Sequence, residues 1–195
     1  MNRNLFKKCV VAFIFIVIAG ACELSTASAY YDRHSRFYWG GYAGIELGLV
    51  NQYEISPLLG YEFFPRLHAG VGAKYQYYYD KRLNNVFRAH LFGPLAFTDF
   101  IVIKNLDDLF SFSLIEGALY IHGEMDLFSL PAREFDIENQ HPGNQRFFRP
   151  TWLTGIGLRR EAGQNSHLHI LLMMDISGDS RKVYSNPVLR FGFMF

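Results

Sequence analysis

The chain has 195 residues, half of them hydrophobic and 17% aromatic, with a formal net charge of +1 at pH 7. So even a charge balance leaves no electrostatic footprint for nucleic acid, which calls for clustered Lys and Arg. Both cysteines, Cys9 and Cys22, lie near the N-terminus, so the rest of the chain must be held by packing and backbone pairing without disulfides.

Residues 1–29 read as an export signal. Arg3, Lys7 and Lys8 form a basic start, Val10 to Ala21 an apolar run, and Ala27-Ser28-Ala29 the small-x-small pattern of a cleavage site. The apolar run is shorter than the roughly 20 residues of a spanning helix. Ala19-Gly20-Ala21-Cys22 offers a rival, lipidation at Cys22, but the Ala-x-Ala pattern favours cleavage after Ala29. Losing Arg3, Lys7, Lys8 and Glu23 turns the net charge from +1 to −1. No linker or shift in composition divides residues 30–195, which are expected to form one domain.

From there the chain alternates with a period of two, the mark of half-buried strands. In the first segment Phe37, Trp39, Gly41, Ala43, Ile45, Leu47 and Leu49 share one face, opposite Tyr38, Gly40, Tyr42, Gly44, Glu46 and Gly48. The second sets Ile55, Pro57, Leu59, Tyr61 and Phe63 against Glu54, Ser56, Leu58, Gly60 and Glu62. The third sets Leu67, Ala69, Val71, Ala73, Tyr75, Tyr77 and Tyr79 against His68, Gly70, Gly72, Lys74, Gln76 and Tyr78. A fourth begins near Asn85, with Phe87, Ala89 and Leu91 opposite Arg88 and His90, and runs toward Phe100. A fifth covers Leu109 to Glu124; there Glu116 shares a parity with Phe110, Phe112 and Leu114, which a β-bulge would reconcile. The sixth, Thr151 to Arg159, opposes Trp152, Ile156 and Leu158 to Gly155, Gly157 and Arg159. The seventh opposes Leu168, Ile170, Leu172 and Met174 to His167, His169, Leu171, Met173 and Asp175. The eighth opposes Leu189, Phe191, Phe193 and Phe195 to Val188, Arg190, Gly192 and Met194.

Eight such segments match the smallest transmembrane barrels, whose strands need about 9 to 11 residues to cross. The face opposite the large apolar residues is crowded with Gly, Glu, Lys, Arg and His. That is a poor exterior for a soluble protein and a good lining for a narrow lumen. The fold expected is therefore all-β, an eight-stranded antiparallel transmembrane β-barrel with its apolar parity toward lipid.

Connections agree in pattern. Phe64-Pro65-Arg66, Asn105 to Asp108 and Glu161 to Ser166 make short turns on the side of the N-terminus. Asn51 to Tyr53, Asp80 to Asn84, Met125 to Pro150 and Ser177 to Asn186 make longer loops on the other. Tyr75, Tyr77 and Tyr79 fall at the loop rim, and Phe37, Trp39, Tyr61, Phe63 and Phe195 at the turn rim, as interfacial girdles would. The last segment must pair with the first, because an open edge in lipid strands backbone polar groups. Its alternating Phe191, Phe193 and Phe195 resemble the C-terminal signal read by the barrel-assembly machinery of Gram-negative bacteria.

The stretches ISPLLGYEFFPRLHAGVGAKYQYYYDK (Ile55 to Lys81) and YSNPVLRFGF (Tyr184 to Phe193) resemble the small outer-membrane β-barrel proteins common in Bacteroidetes. TWLTGIGLRR (Thr151 to Arg160) and HLHILLMMDI (His167 to Ile176) echo them more weakly. The resemblance implies a barrel fold and an outer-membrane location, and no activity.

The inward charges are Glu46, Glu62 and Asp175 against Lys74, Arg88, Arg159 and Arg190, with His167 and His169 on the same side. They nearly compensate one another, so a salt-bridged core is expected within a lumen just wide enough for side chains. His167 and His169 with Asp175 could begin a metal site; paired lumen residues are the simpler reading, and no metal or cofactor is expected. A His and a Ser in a small barrel also resemble the lipid A deacylases, but His169 is followed two residues later by Leu171, and Ser177 falls at a strand end. The expectation is a structural or surface-interaction protein of the outer membrane, not an enzyme; the alternatives are a small-solute channel and a lipid-modifying hydrolase. Membrane lipid and the assembly machinery are its expected partners. The Met125 to Pro150 stretch, with Arg133, Arg146 and Arg149 beside Asp126, Glu134, Asp136 and Glu138, is a candidate surface for lipopolysaccharide or a protein.

Overall fold

A computed structural model of the chain describes residues 36–195, apart from 47–49, 81–86, 107–116, 136–144, 164–165, 179–182 and 185. For Glu46, Val50, Asp80, Phe87, Arg133 and Glu134 only the backbone is described. The expected export signal, with both cysteines, lies outside these residues.

Eight strands follow one another around a closed antiparallel barrel. They are β1 (Phe37–Glu46), β2 (Val50–Phe64), β3 (Leu67–Asp80), β4 (Phe87–Ile103), β5 (Ala118–Pro131), β6 (Arg146–Gly163), β7 (Ser166–Asp175) and β8 (Val188–Met194). Each strand pairs with its chain neighbours, and β8 returns to β1 with Gly40 opposite Met194 and Gly44 opposite Arg190. Backbone bonds from Trp39 N to Phe195 O (3.2 Å) and from Phe195 N to Trp39 O (2.7 Å) extend that seam by one pair. Closure leaves no unpaired edge.

Every strand carries exposed apolar residues on its outward parity. Trp39 on β1, Ile55 on β2, Val71 on β3, Phe92 on β4, Ile121 on β5, Trp152 and Ile156 on β6, Ile170 on β7 and Phe191 on β8 are all exposed, Trp39 by 61%. Soluble monomers rarely expose a contiguous apolar patch above about 300–600 Å². Here the apolar surface encircles the barrel. Aromatic side chains gather toward the two rims, with Phe37, Trp39, Phe63 and Phe195 at the turn end and Tyr53, Tyr75, Phe92 and Phe148 at the loop end.

Inside, space is managed by pairing rings with glycines. Tyr38 lies opposite Gly60, Tyr42 opposite Gly192, Phe97 opposite Gly70 and Tyr120 opposite Gly157, all directly cross-strand. A Cβ on any of these four glycines would sit 2.1–2.6 Å from the facing ring, so each ring occupies the volume its partner leaves empty.

Three local expectations are corrected. On β4 the parity is reversed: Ala89 and Leu91 are buried inside, while Arg88 and His90 are exposed. This strand is apolar on both faces, so alternation does not choose a side; pairing does, because Leu91 is the partner of inward Gln76 and Ala89 the partner of inward Tyr78. The Met125 to Pro150 stretch is mostly strand, since β5 runs on to Pro131 and β6 starts at Arg146. A single helical turn, Ala132–Phe135, follows β5. Asn51 to Tyr53 belong to β2, paired with Tyr77 to Tyr79 of β3 rather than looping out. The described part of β5 is Ala118–Pro131; the expected start of the fifth segment at Leu109, the end of the expected Asn105 to Asp108 turn and the bulge near Glu116 fall outside the described residues.

Candidate functional site: a buried ion cluster in the lumen

The lumen is filled, and its centre is ionic. Lys74 on β3 places Nζ 2.5 Å from Glu124 Oε1 and 2.7 Å from Asp126 Oδ2, both on β5, and 3.6 Å from Glu54 Oε1 on β2. From β8, Arg190 donates Nη1 to Glu124 Oε1 (2.8 Å) and Nη2 to Glu54 Oε2 (3.0 Å). Its Nε lies 2.8 Å from Glu54 Oε1, an ion-pair distance with the N–H out of line for a hydrogen bond. Arg190 has no exposed surface and Lys74 only 2%. Two cations therefore face three carboxylates with water excluded. Such an arrangement persists only where every charge has a partner, since stripping one partner from a buried pair costs about 3–5 kcal/mol.

A fifth element completes the cluster. In the connection between β7 and β8, Val183 and Tyr184 are buried, and the Tyr184 hydroxyl reaches the middle of the ions. It accepts from Lys74 Nζ at 3.2 Å and Arg190 Nη2 at 3.1 Å. Its own proton serves either Glu54 Oε2 (3.1 Å) or Asp126 Oδ2 (3.2 Å). Burial, and then the Glu54 charge, push this phenol well above its usual range, so it stays a neutral donor. The segment is tied down by Gln52, whose Nε2 donates to Val183 O at 2.9 Å while its Oε1 accepts from Gln76 Nε2. From the helical turn Phe135 packs edge-on against Tyr78, with ring centroids 5.5 Å apart. Tyr184 and Phe135 are both buried at the loop-end half of the barrel.

Toward the turn end the cluster passes into imidazoles and phenols. Both nitrogens of His122 face carboxylates, Asp99 Oδ1 at 2.5 Å and Glu124 Oε2 at 3.4 Å. Below them Tyr42 and Tyr120 approach at 3.4 Å, and Tyr120 contacts His169 Nδ1 at 3.0 Å. Further down Arg159 Nη2 donates to His167 Nε2 at 2.9 Å.

Of the lumen charges expected from alternation, the structure brings Lys74 and Arg190 together at the centre. Glu62, Arg159, His167 and His169 line the turn-end half, and Asp175 lies buried near the loop end, where its Oδ1 accepts from Ser177 N at 2.8 Å. Arg88 is not among them. It points outward with its guanidinium carbon 5.4 Å from the Tyr79 ring centre, a consequence of the reversed β4 parity. The Glu46 side chain lies outside the described set. His167 and His169 engage different partners, and the described residues contain no group of three or more His, Cys, Asp or Glu placed to hold a metal ion. Glu54, Asp99, His122, Glu124, Asp126 and Tyr184 were missed. His122, Glu124 and Asp126 did carry a signal, polar residues at i, i+2 and i+4 opposite Ile121, Met125 and Leu127, which assigning Asp126 to a loop cut short.

No protein-family model and no curated protein matches the chain. Among solved structures, one match is a chain described as "De novo design of transmembrane beta-barrels"; it is 10% identical, with a TM-score of 0.41, over 85% of this chain and 98% of that one.

Proposed function

We propose that the chain is an integral outer-membrane β-barrel of a Gram-negative bacterium with a scaffolding or surface-interaction role and no catalysis. The observation that carries this reading is the exposed apolar surface that encircles all eight strands between two aromatic rims. A soluble barrel would place those side chains in its core and the ions outside. Here the arrangement is inverted, which suits a chain solvated by hydrocarbon. Its partners are then membrane lipid along the barrel wall, the assembly machinery during export, and lipopolysaccharide or a protein at the loop end.

The same reading makes the lumen a plug instead of a path. Eight strands leave room for little besides side chains, and Arg190, Lys74, Tyr42 and Tyr120 occupy it. The test is to purify the chain in detergent, compare gel migration before and after boiling, and float it with phospholipid vesicles. A boiling-dependent shift together with vesicle association is expected. Recovery as a detergent-free soluble monomer would refute the proposal. In planar bilayers the protein should show no steady conductance; stable channel currents would favour a small-solute channel.

A further inference from the structure

The outer wall at the loop end is not uniform. On β1, β2, β7 and β8 the outward residues near that rim are neutral: Ile45, Asn51, Tyr53, Met174 and Leu189. On β4 and β6 they are Arg88, His90 and Arg146, all exposed. Pairing gathers these with the tyrosines of β3, since Tyr79 is opposite Arg88 and Tyr77 opposite His90. Arg146 reaches across β5 toward them. Its Nη2 donates to His90 O at 2.8 Å, its Nε to Ser129 Oγ at 2.9 Å, and its guanidinium carbon lies 4.7 Å from the Phe92 ring centre.

The ring contacts hold these side chains against the wall. Arg88 stacks on Tyr79, and His90 Nδ1 meets the Tyr75 hydroxyl at 2.7 Å. Among the described residues none of the three has an acidic partner. Asp126 and Glu124, the carboxylates nearest in sequence on β5, are buried in the lumen against Lys74. Two guanidinium groups and an imidazole thus stand on the outward wall beside phenols, with no acidic partner among the described residues.

A guanidinium on the lipid side costs about 2–4 kcal/mol at the bilayer midplane and about 0–1 near the interface. Arg88 is the second residue of β4 and Arg146 the first of β6, so both belong at interface depth. What meets them there is the headgroup layer. Guanidinium forks match phosphate oxygens in pairs, and phenols can add a further donor.

We propose that the Arg88, His90 and Arg146 face binds the phosphate of an anionic membrane-lipid headgroup in the leaflet at the loop end. This rests on the membrane reading above and adds a specific ligand to it. The barrel then holds a preferred orientation toward one class of lipid along the β3 to β6 side of its wall.

The experiment uses the full chain refolded into vesicles of phosphatidylcholine with phosphatidylglycerol at equal amounts, followed by release in detergent and native mass spectrometry of the retained lipid. The wild type is expected to keep phosphatidylglycerol over phosphatidylcholine, and Arg88→Gln to reduce that preference about fivefold, the equivalent of about 1 kcal/mol for one surface cation. Arg88 is exposed, and among the described residues its side-chain partner is the Tyr79 ring, so its loss should leave the boiling-dependent gel shift intact. Arg66→Gln, in the exposed turn at the opposite rim, should change nothing. Equal retention of both lipids by the wild type, or a preference unaltered by Arg88→Gln, overturns the proposal while leaving the membrane reading intact. Loss of the preference in 10 mM inorganic phosphate overturns it too, by showing a site for free phosphate. Failure to enter vesicles at all would defeat the membrane reading first, and this inference with it.

Discussion

The Phe195 ring stacks on Trp39 across the closing seam, with centroids 4.6 Å apart and planes 19° from parallel, directly above the backbone bonds that join the two residues. Phe191, two pairs higher on the same outward face, is opposite Ala43 and has no aromatic partner across the seam.

The two phenylalanines should therefore respond differently to truncation. Each ring is about half exposed on the wall, so the loss of outward apolar surface is similar. Phe195→Ala additionally removes the stacked pair, about 0.5–1.5 kcal/mol beyond burial. Denaturant titration of refolded protein, read by the gel shift, should give a lower midpoint for Phe195→Ala than for Phe191→Ala. Matching midpoints would mean that the stack contributes nothing to closure.

Lys74→Met should be among the most damaging substitutions in the lumen. It leaves Asp126 with only the shared Tyr184 hydroxyl and removes one of the two cations from Glu124 and Glu54. The expected loss is about 3–5 kcal/mol. Adding Asp126→Leu removes the most exclusively dependent carboxylate and should recover part of the loss. A double variant as unstable as the single one would argue against the pairing described.

Tyr184→Phe keeps the ring and deletes the hydroxyl that four charged groups share, at an expected cost of about 1–3 kcal/mol. The pH dependence has a definite sign. Because the folded state raises this phenol's pKa, it binds the proton more tightly than the unfolded chain does. The stability gained is complete below the unfolded value of about 10 and is lost as pH rises above it. The stability difference between wild type and Tyr184→Phe should thus shrink between pH 9 and 11, measured by urea unfolding. A difference that grows over that interval would contradict it.

Gly157→Val should force the Tyr120 ring from its place, because an added Cβ would lie 2.2 Å from Tyr120 Cζ. Moving the ring also strains its contacts with His169 and Tyr42. Overpacking of this kind costs about 1–3 kcal/mol. Gly178→Ala, where no atom of the described residues lies within 4 Å of the added Cβ, is the control and should be silent. Thermal unfolding of both variants decides the matter; equal transitions would mean that the lumen has slack at Gly157.

How much could be read beforehand depended on contrast between faces. β7 and β8 place Leu, Ile, Met and Phe against His, Asp, Arg and Gly, so their inward sets, including Arg190 and His169, follow from alternation alone. β4 offers no such contrast: Leu91, Leu95, Phe97 and Ile101 are inside while Phe92 and Val102 are outside. Arg88 was consequently assigned to the lumen. Asp126 was hidden by the prolines and charges around it, which imitate a loop. Tyr184 could not be found from periodicity, because it enters the lumen from a connection instead of a strand. The ring-over-glycine pairs required register, and register is a relation between segments that no single segment contains.

The composition of the ion cluster has a consequence for the order of assembly. The β2–β3 hairpin carries Glu54 and Lys74, which neutralise each other; β5 then adds Glu124 and Asp126, and only β8 brings Arg190. In a curled but open sheet of β1 to β7 the three carboxylates therefore face Lys74 alone, and the formal surplus of two negative charges is halved when the last strand brings Arg190. Closure of the last strand is therefore expected to be cooperative with the rest of the barrel. The chain's two tryptophans, Trp39 at the seam and Trp152 on β6, are natural reporters of this. Single-tryptophan variants should unfold with superimposable fluorescence transitions, and an earlier transition at Trp39 would reveal a barrel that opens at its seam before the rest gives way.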